Sequence, residues 1–394
     1  MLGTMRILFT CIKASSHLRV LVPVAHAAQA RGHTVAVAVE PAMREEVSTG
    51  YGLEFLPAGR YWSGDPATAE TVARQLVFNA HEAYTTTLVE RIFLGDAALD
   101  MARDVVALAE EWQPDLVVRL AEEFGGYLAA EHLGLPHAAV ASGCTHLLTP
   151  QTVAPRLRRL REGFGLAPAT DPHPYLLASF APPSYVDTEL APTLRHYRQP
   201  AAHRIGERLP GWLADLPADK PLVYAAFGSV VPDIPFKMQP LLRTVVDALG
   251  GLDCTAIVSG AVSGAEAGLS GALPGNVRLV AHIAQPLLLP VCDLFVTHAG
   301  FGSVREALRG GTPMVALPVI GDEPYHAGRC AALGVARVLP AERATAATVR
   351  DACAEVMGDP RYRHAARRVQ REILTLPSVD ELVGDLETLV AKGI

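Results

Sequence analysis

Charged and aromatic side chains are scarce in this chain. Of its 394 residues only 19% are Asp, Glu, Lys or Arg, and only 6% are Phe, Trp or Tyr. Asp and Glu outnumber Lys and Arg by 41 to 34, a formal net charge of −7. The electrostatic footprint that holds a polyanion is missing, which excludes a dedicated nucleic-acid binder. Long apolar runs are missing too: none nears the roughly 18 residues that cross a bilayer, despite a mean hydropathy of +0.22. The opening MLGTMRILFTC has neither a basic n-region nor a long apolar stretch before a small-residue cleavage site, so no secretory leader is expected. Cysteine is sparse and scattered, at Cys11, Cys144, Cys254, Cys292, Cys330 and Cys353, with no C-x-x-C pair. A chain this long needs no disulfide staples. The thiols are expected to be reduced and mostly buried, in a cytoplasmic protein.

What the chain has in quantity is apolar substance. Half of its residues are hydrophobic, enough for large cores, and at roughly 150 residues per domain the length allows two or three. Arg6–Ile12 is a short apolar run, and the polar segment KASSH after it reads as a turn. Leu18, Leu21, Val22, Ala25 and Ala28 then fall at helical spacing, Arg31-Gly32 closes that helix, and Thr34–Val39 is a second strand. Strand, helix, Gly turn and strand make a βαβ unit. The cadence returns at Asp115–Leu120, a helix through Leu133, and His137–Ala141. It returns again with strands at Pro221–Phe227, Thr255–Val258, Val277–Val280, Leu294–Thr297 and Met314–Leu317, and a helix over Phe236–Leu249. Such alternation implies parallel sheets covered on both faces. The expected fold class is α/β, with two Rossmann-like, doubly wound domains facing across a cleft. Residues 1–209 form the first domain, 210–220 a Pro-rich linker and 221–376 the second domain. Residues 377–394 form an amphipathic helix returning towards the first. In open α/β sheets, ligands bind beyond the carboxyl ends of the strands.

The densest chemistry lies between Val277 and Gly334. There the strand DLFVT runs into His298-Ala299-Gly300-Phe301-Gly302-Ser303 and then into a helix. Glycines at such a turn let backbone amides approach a ligand, and a helix N-terminus favours negative charge. Ser303 adds a hydroxyl donor, and His298 is expected to give a charge-assisted bond to a phosphate oxygen. An ordinary Gly-rich turn is the alternative. The dinucleotide pattern G-x-G-x-x-G is not met, because position 305 is Arg. A second turn, Gly228-Ser229, ends the first strand of the same half, and a third loop carries Asp322 and Glu323. Two adjacent carboxylates do not suit phosphate. They suit sugar hydroxyls, or are simply a solvated pair.

These spacings resemble the donor-binding region of the bacterial glycosyltransferases that decorate natural products, which have the GT-B fold. The resemblance rests on Val277, Arg278, Gln285, Leu288, Leu289, Pro290, Cys292, Asp293, His298, Gly300, Gly302, Ser303, Gly311, Pro313, Pro318, Asp322 and Glu323. The opening R-I-L-F-T, H-L-R-V-L-V-P-V-A and R-G-H-T-V also resembles that family. Two departures stand out. His282 and Ala284 replace an aromatic and a proline that usually meet the nucleobase, and Asp-Glu replaces Asp-Gln, with His326 where Asn is common.

The resemblance implies an inverting, metal-independent transfer of a deoxysugar from a dTDP-sugar to a hydroxyl of a natural-product aglycone. It implies a diphosphate held by Ser229, His298, Gly300, Gly302 and Ser303, a base met by His282, Ile283 and Gln285, and sugar hydroxyls at Asp322 and Glu323. His17, after the first strand, is the implied general base, an imidazole with a pKa near working pH. Its acid partner is Glu122 or Glu123, unless both are first-turn helix glutamates or the base works alone. No D-x-D occurs, no metal is expected, and no cofactor beyond the nucleotide sugar. A hydrophobic small-molecule acceptor would meet residues 60–95, among them Trp62, Phe78 and Tyr84 with Tyr61 and Phe93, unless these only pack helices. No membrane or nucleic-acid partner is expected, and a homodimer stays open. The rival readings are C-glycosylation of an aromatic polyketide, a non-catalytic auxiliary protein that binds sugar nucleotides, and a sugar-nucleotide epimerase of the same architecture.

Overall fold

The computed structural model describes residues 3–60, 67, 70–72, 75, 81–186, 190–228, 235–260 and 273–393. Trp62, Phe78 and Ser229 lie outside the described residues. The chain divides into two compact units, Met1–Ile205 together with Leu376–Ile394, and Gly206–Thr375. Residues 210–220, read above as the linker, group with the second unit. There a turn of 3₁₀ helix, Gly211–Asp215, sets the Trp212 ring 4.2 Å from the Arg278 guanidinium carbon. No helix among the described residues is long and apolar enough to cross a membrane.

The first unit is built on β1 (Arg6–Thr10), β2 (Thr34–Val39), β3 (Glu54–Pro57), β4 (Leu116–Leu120), β5 (His137–Val140), β6 (Leu177–Ser179) and β7 (Leu194–His196). They hydrogen-bond in the order β3-β2-β1-β4-β5-β6-β7, all parallel. The central strands are buried on both faces, which is why they read as near-continuous apolar runs, with Arg119 in β4 the exception. Where a polar turn was expected, the first helix already starts at Ser15 and runs to Ala30, so His17 sits in its first turn.

Two features hold this unit's loops in place. The helix Val379–Ala391 opens with a capping box between Ser378 and Glu381, and its Val379, Leu382, Val383, Leu386 and Leu389 enter the same core as Leu18, Leu21 and Ala25. Glu387 fastens it, taking two bonds from Arg31 (3.0 and 2.6 Å) and one from His33 Nε2 (3.0 Å). The second is Arg119, a fully buried charge in β4. Its guanidinium donates to the carbonyls of Leu120, Ala121 and Glu123, to that of Pro172, and to His173 Nδ1 at 3.2 Å. Burial pulls its pKa down to about 10, against the neighbouring Glu123 charge. A buried charge persists only when so many partners repay its desolvation. Here three of those partners are carbonyls at the end of β4 and in the loop that leaves it, and Pro172 and His173 supply the others.

The second unit holds β8 (Leu222–Ala226), β9 (Thr255–Ser259), β10 (Val277–Val280), β11 (Leu294–Thr297), β12 (Met314–Ala316) and β13 (Ala336–Val338). Their order is β10-β9-β8-β11-β12-β13, again all parallel. Both units are thus Rossmann-like: the strand order reverses beside the first strand, between β1 and β4 and between β8 and β11. A crevice opens at such a switch point, beyond the strand ends. All six cysteines are free; five are buried and Cys292 is half-buried.

Candidate functional site

In the second unit the switch point is furnished by the turns after β8 and β11. After β11 the chain passes through Ala299 at φ 67°, a left-handed conformation that an L residue with a Cβ resists by about 1–2 kcal/mol. The kink lets the helix Phe301–Gly310 start at once, with Gly300 at its cap. Gly300 has no side chain to accept from the first-turn amides, so Gly302 and Ser303 present theirs at a positive helix end. Strain of this kind, held by a buried Ala299, marks a site where backbone placement matters.

The His298 imidazole is wedged between two glycines. A Cβ on Gly228, which sits at φ 72°, would lie 2.7 Å from His298 Nε2, and one on Gly300 would collide with the same atom. Glycine at both positions is therefore a space requirement. Burial pulls the His298 pKa down to about 4, against the Asp322 charge and the Ala226 carbonyl. At neutral pH that ring is neutral, so the charge in a bond from it to a phosphate oxygen would come from the anion alone. Its Nδ1 is buried without a hydrogen-bond partner, and Nε2 is 4.0 Å from Glu323 Oε1.

Asp322 and Glu323, alike in sequence, differ in place. Glu323 is buried, and its Oε2 accepts from the amides of Val319 (2.6 Å) and Ile320 (2.8 Å), so it shapes its own loop. Asp322 is part-exposed and accepts from His326 Nε2 at 2.9 Å. The His326 ring lies 5.1 Å from that of Phe301, which ties this loop to the turn at His298–Ser303. Gln285 donates to Glu306 Oε2 at 2.7 Å and to Ser303 Oγ at 3.3 Å. Ser303, as acceptor of that bond, keeps its own proton for another partner. Glu306 was not singled out above. The signal was there: three residues after Ser303 on one helix, it shares a face with it. The ring of His282 is exposed and donates to Glu207 at 2.6 Å, and the Ile283 side chain is buried, which leaves its backbone as the contact.

In the first unit a cavity of about 460 Å³ including its mouth opens at the ends of β1, β2, β3 and β4. Ile12, Ile92, Phe93, Met101 and Phe124 give it an apolar wall, and Lys13 and Arg60 also line it. Lys13 is paired with Glu40 (3.7 Å) and Arg60 with Asp100. Ile92 and Phe93 come from a π-helical turn, Leu88–Phe93, a distortion often found where side chains are aimed at a ligand. Of the aromatics expected here, Phe93 lines the cavity, whereas Tyr84 packs against the core that contains Leu88 and Leu128.

Glu122 and Glu123 both line this cavity, with different commitments. Glu123 caps the helix Phe124–Leu133: its oxygens accept from Thr10 Oγ1 and from the amides of Gly125 and Gly126 (2.8 Å). Burial pushes its pKa up, and the Thr10 hydroxyl, the Gly126 amide and Arg119 oppose that shift. Glu122 Oε1 accepts from Cys144 N (2.9 Å) and Thr145 Oγ1 (3.3 Å). Neither carboxylate bonds His17 Nδ1, which is buried and without a hydrogen-bond partner.

Two models of one family match the chain: the N-terminal domain of erythromycin biosynthesis protein CIII-like proteins over residues 26–162, and their C-terminal domain over 243–389. The chain is 29% identical to tylactone mycaminosyltransferase of Streptomyces fradiae, over 98% of this chain and 93% of that enzyme. It is 27% identical to 3-alpha-mycarosylerythronolide B desosaminyl transferase of Saccharopolyspora erythraea, over 98% and 99%. Among solved structures, the glycosyltransferase VinC in complex with dTDP superposes with a TM-score of 0.80 at 27% identity, over 98% of this chain and 100% of that one. Spinosyn rhamnosyltransferase SpnG with thymidine diphosphate gives 0.79 at 25%, over 97% and 100%.

Proposed function

This chain belongs to the erythromycin biosynthesis protein CIII-like glycosyltransferases, of GT-B fold, and from that premise we propose its reaction: inverting, metal-independent transfer of a deoxysugar from dTDP to a hydroxyl of an apolar natural-product aglycone. The observation that carries the reading is the strained turn at His298–Ser303, where an open helix N-terminus and a glycine-walled imidazole converge. A diphosphate there accepts the Gly302 and Ser303 amides, the Ser303 hydroxyl and the His298 N–H. These donors stand ready before charge develops on the leaving group, which is how preorganised dipoles lower a barrier. The complexes of VinC and SpnG with thymidine diphosphate support thymidine as the nucleoside. Asp322 accepts from sugar hydroxyls, while Glu323 keeps their loop in shape. Backbone at Ile283 and the ring of His282 meet the base.

The acceptor occupies the cavity of the first unit. His17 takes the proton of the attacking hydroxyl as its oxygen bonds the anomeric carbon, and the carbon–oxygen bond to the diphosphate breaks on the opposite face, inverting the centre. His17 acts without an acid partner at Nδ1. The test is incubation with a dTDP-deoxysugar and a panel of hydroxylated polyketide acceptors, read by mass spectrometry for dTDP release and sugar addition. His17→Ala is expected to abolish transfer while dTDP still binds. Full turnover by that variant, or no affinity of the wild type for dTDP, overturns the proposal.

A further inference from the structure

Glu122 is fully buried at the end of β4, beside the reversal of strand order, and it lines the cavity. Its two oxygens are unequal. Oε1 receives both donors, Cys144 N and Thr145 Oγ1, whereas Oε2 is buried with no hydrogen-bond partner. The adjacent Glu123 shows what a structural carboxylate looks like in the same wall, with both oxygens supplied by Thr10, Gly125 and Gly126. The cavity's cations are engaged elsewhere, Lys13 with Glu40 and Arg60 with Asp100. Native proteins rarely leave a buried carboxylate oxygen without a donor, and such an orphan calls for an explanation outside the fold.

We infer that Glu122 Oε2 is the polar recognition point of the acceptor cavity, a specificity-determining group that takes a hydrogen bond from a hydroxyl on an otherwise apolar ring system. The apolar wall of Phe93, Met101 and Phe124 covers the ring body. A single acceptor oxygen matches a hydroxyl, which brings one donor. An ammonium brings three and would leave two unpaired against an apolar wall. The inference rests on the reading of the first unit as the acceptor-binding half, and it adds to that reading the chemistry the acceptor must carry.

The test uses two small probes of one shape, 2-naphthol and 2-methoxynaphthalene, of which only the first donates a hydrogen bond. Their dissociation constants are measured by ligand-observed NMR on the full chain, with no nucleotide present. Wild type is expected to prefer 2-naphthol by about tenfold or more, the factor a bond to a charged group gives. Glu122→Leu is expected to abolish the preference while 2-methoxynaphthalene binds at least as well. Should that variant melt early, Glu122→Gln serves: its oxygen keeps Cys144 and Thr145, its amide turns Oε2 into a donor, and the preference falls to near unity. Equal binding of both probes by wild type, or a preference that survives both substitutions, overturns the inference. Neither probe nor readout involves the donor sugar. Loss of the preference beside intact sugar transfer refutes only this inference, and a preference beside absent transfer refutes only the proposed reaction.

Discussion

Replacing Gly228 by alanine should cost more than any backbone preference accounts for, because two separate effects meet there. The residue sits at φ 72°, so a Cβ brings the left-handed penalty of about 1–2 kcal/mol. The same Cβ would come within 2.7 Å of His298 Nε2. That ring cannot swing away freely, since it is buried and a second glycine, Gly300, closes its other side. Overpacking of this kind costs about 1–3 kcal/mol, so Gly228→Ala is expected to lose about 2–5 kcal/mol in all. Gly134 is the internal control: its φ is 65°, and a Cβ there meets nothing within 4 Å. Gly134→Ala should therefore show the strain alone. Urea unfolding of both variants separates the contributions, and His298→Ala in the Gly228→Ala background removes the collision. That double substitution should return about 1–3 kcal/mol of coupling. Isothermal calorimetry with dTDP gives the functional side, with affinity falling as the ring is displaced. The reasoning fails if Gly228→Ala and Gly134→Ala cost the same, or if the coupling to His298 is within error of zero.

Three further outcomes can be checked. His298 resists protonation in the folded chain down to about pH 4 while the unfolded chain takes a proton at 6.5. Stability from the neutral ring is thus full above pH 6.5 and is lost as pH falls towards 4, by roughly 3 kcal/mol in all. His298→Gln should flatten the acid limb of a stability-against-pH curve, and an unchanged limb refutes the assignment. Arg119→Leu strips the carbonyls of Leu120, Ala121, Glu123 and Pro172 of their donor and should cost about 3–5 kcal/mol in thermal unfolding; a loss below about 1 kcal/mol would contradict the stapling role. Glu323→Leu should lower stability by about 1–3 kcal/mol by leaving the Val319 and Ile320 amides without their acceptor, whereas Asp322→Asn should raise the donor KM with stability unchanged within about 0.5 kcal/mol. The reverse pattern would exchange their roles.

Much of the fold was legible because it depends on local apolar pattern. LFVT, TVAVAV and LVVRL are buried on both faces, and runs of apolar residues rich in Val say so, Arg119 being the one charged exception. EFLP at β3, LAS at β6 and ARV at β13 were not legible. Each is only three or four residues long and includes a charged, polar or proline residue, so it shows no apolar run, and it becomes a strand because a neighbour's edge is there to pair with. The turn at His298–Ser303 could be found from its glycines. Glu306 could be placed beside Ser303 from their spacing on one helix, whereas the π-helical turn that delivers Ile92 and Phe93 could be found only from geometry, since neither spacing nor composition separates it from an ordinary helix.

The amino-acid order by itself determined the βαβ cadence, the glycines beside His298 and the family, because each is a matter of residue type at fixed spacing. Tertiary structure decided what each charged group does. It made His298 neutral by burying it, gave Glu323 to its own loop and Asp322 to the part-exposed edge, and turned Glu123 into a helix cap while Glu122 kept an oxygen without a donor. A side chain's charge and hydrogen bonds depend on what surrounds it in three dimensions, and neighbours such as Glu122 and Glu123 differ in nothing that one dimension can record.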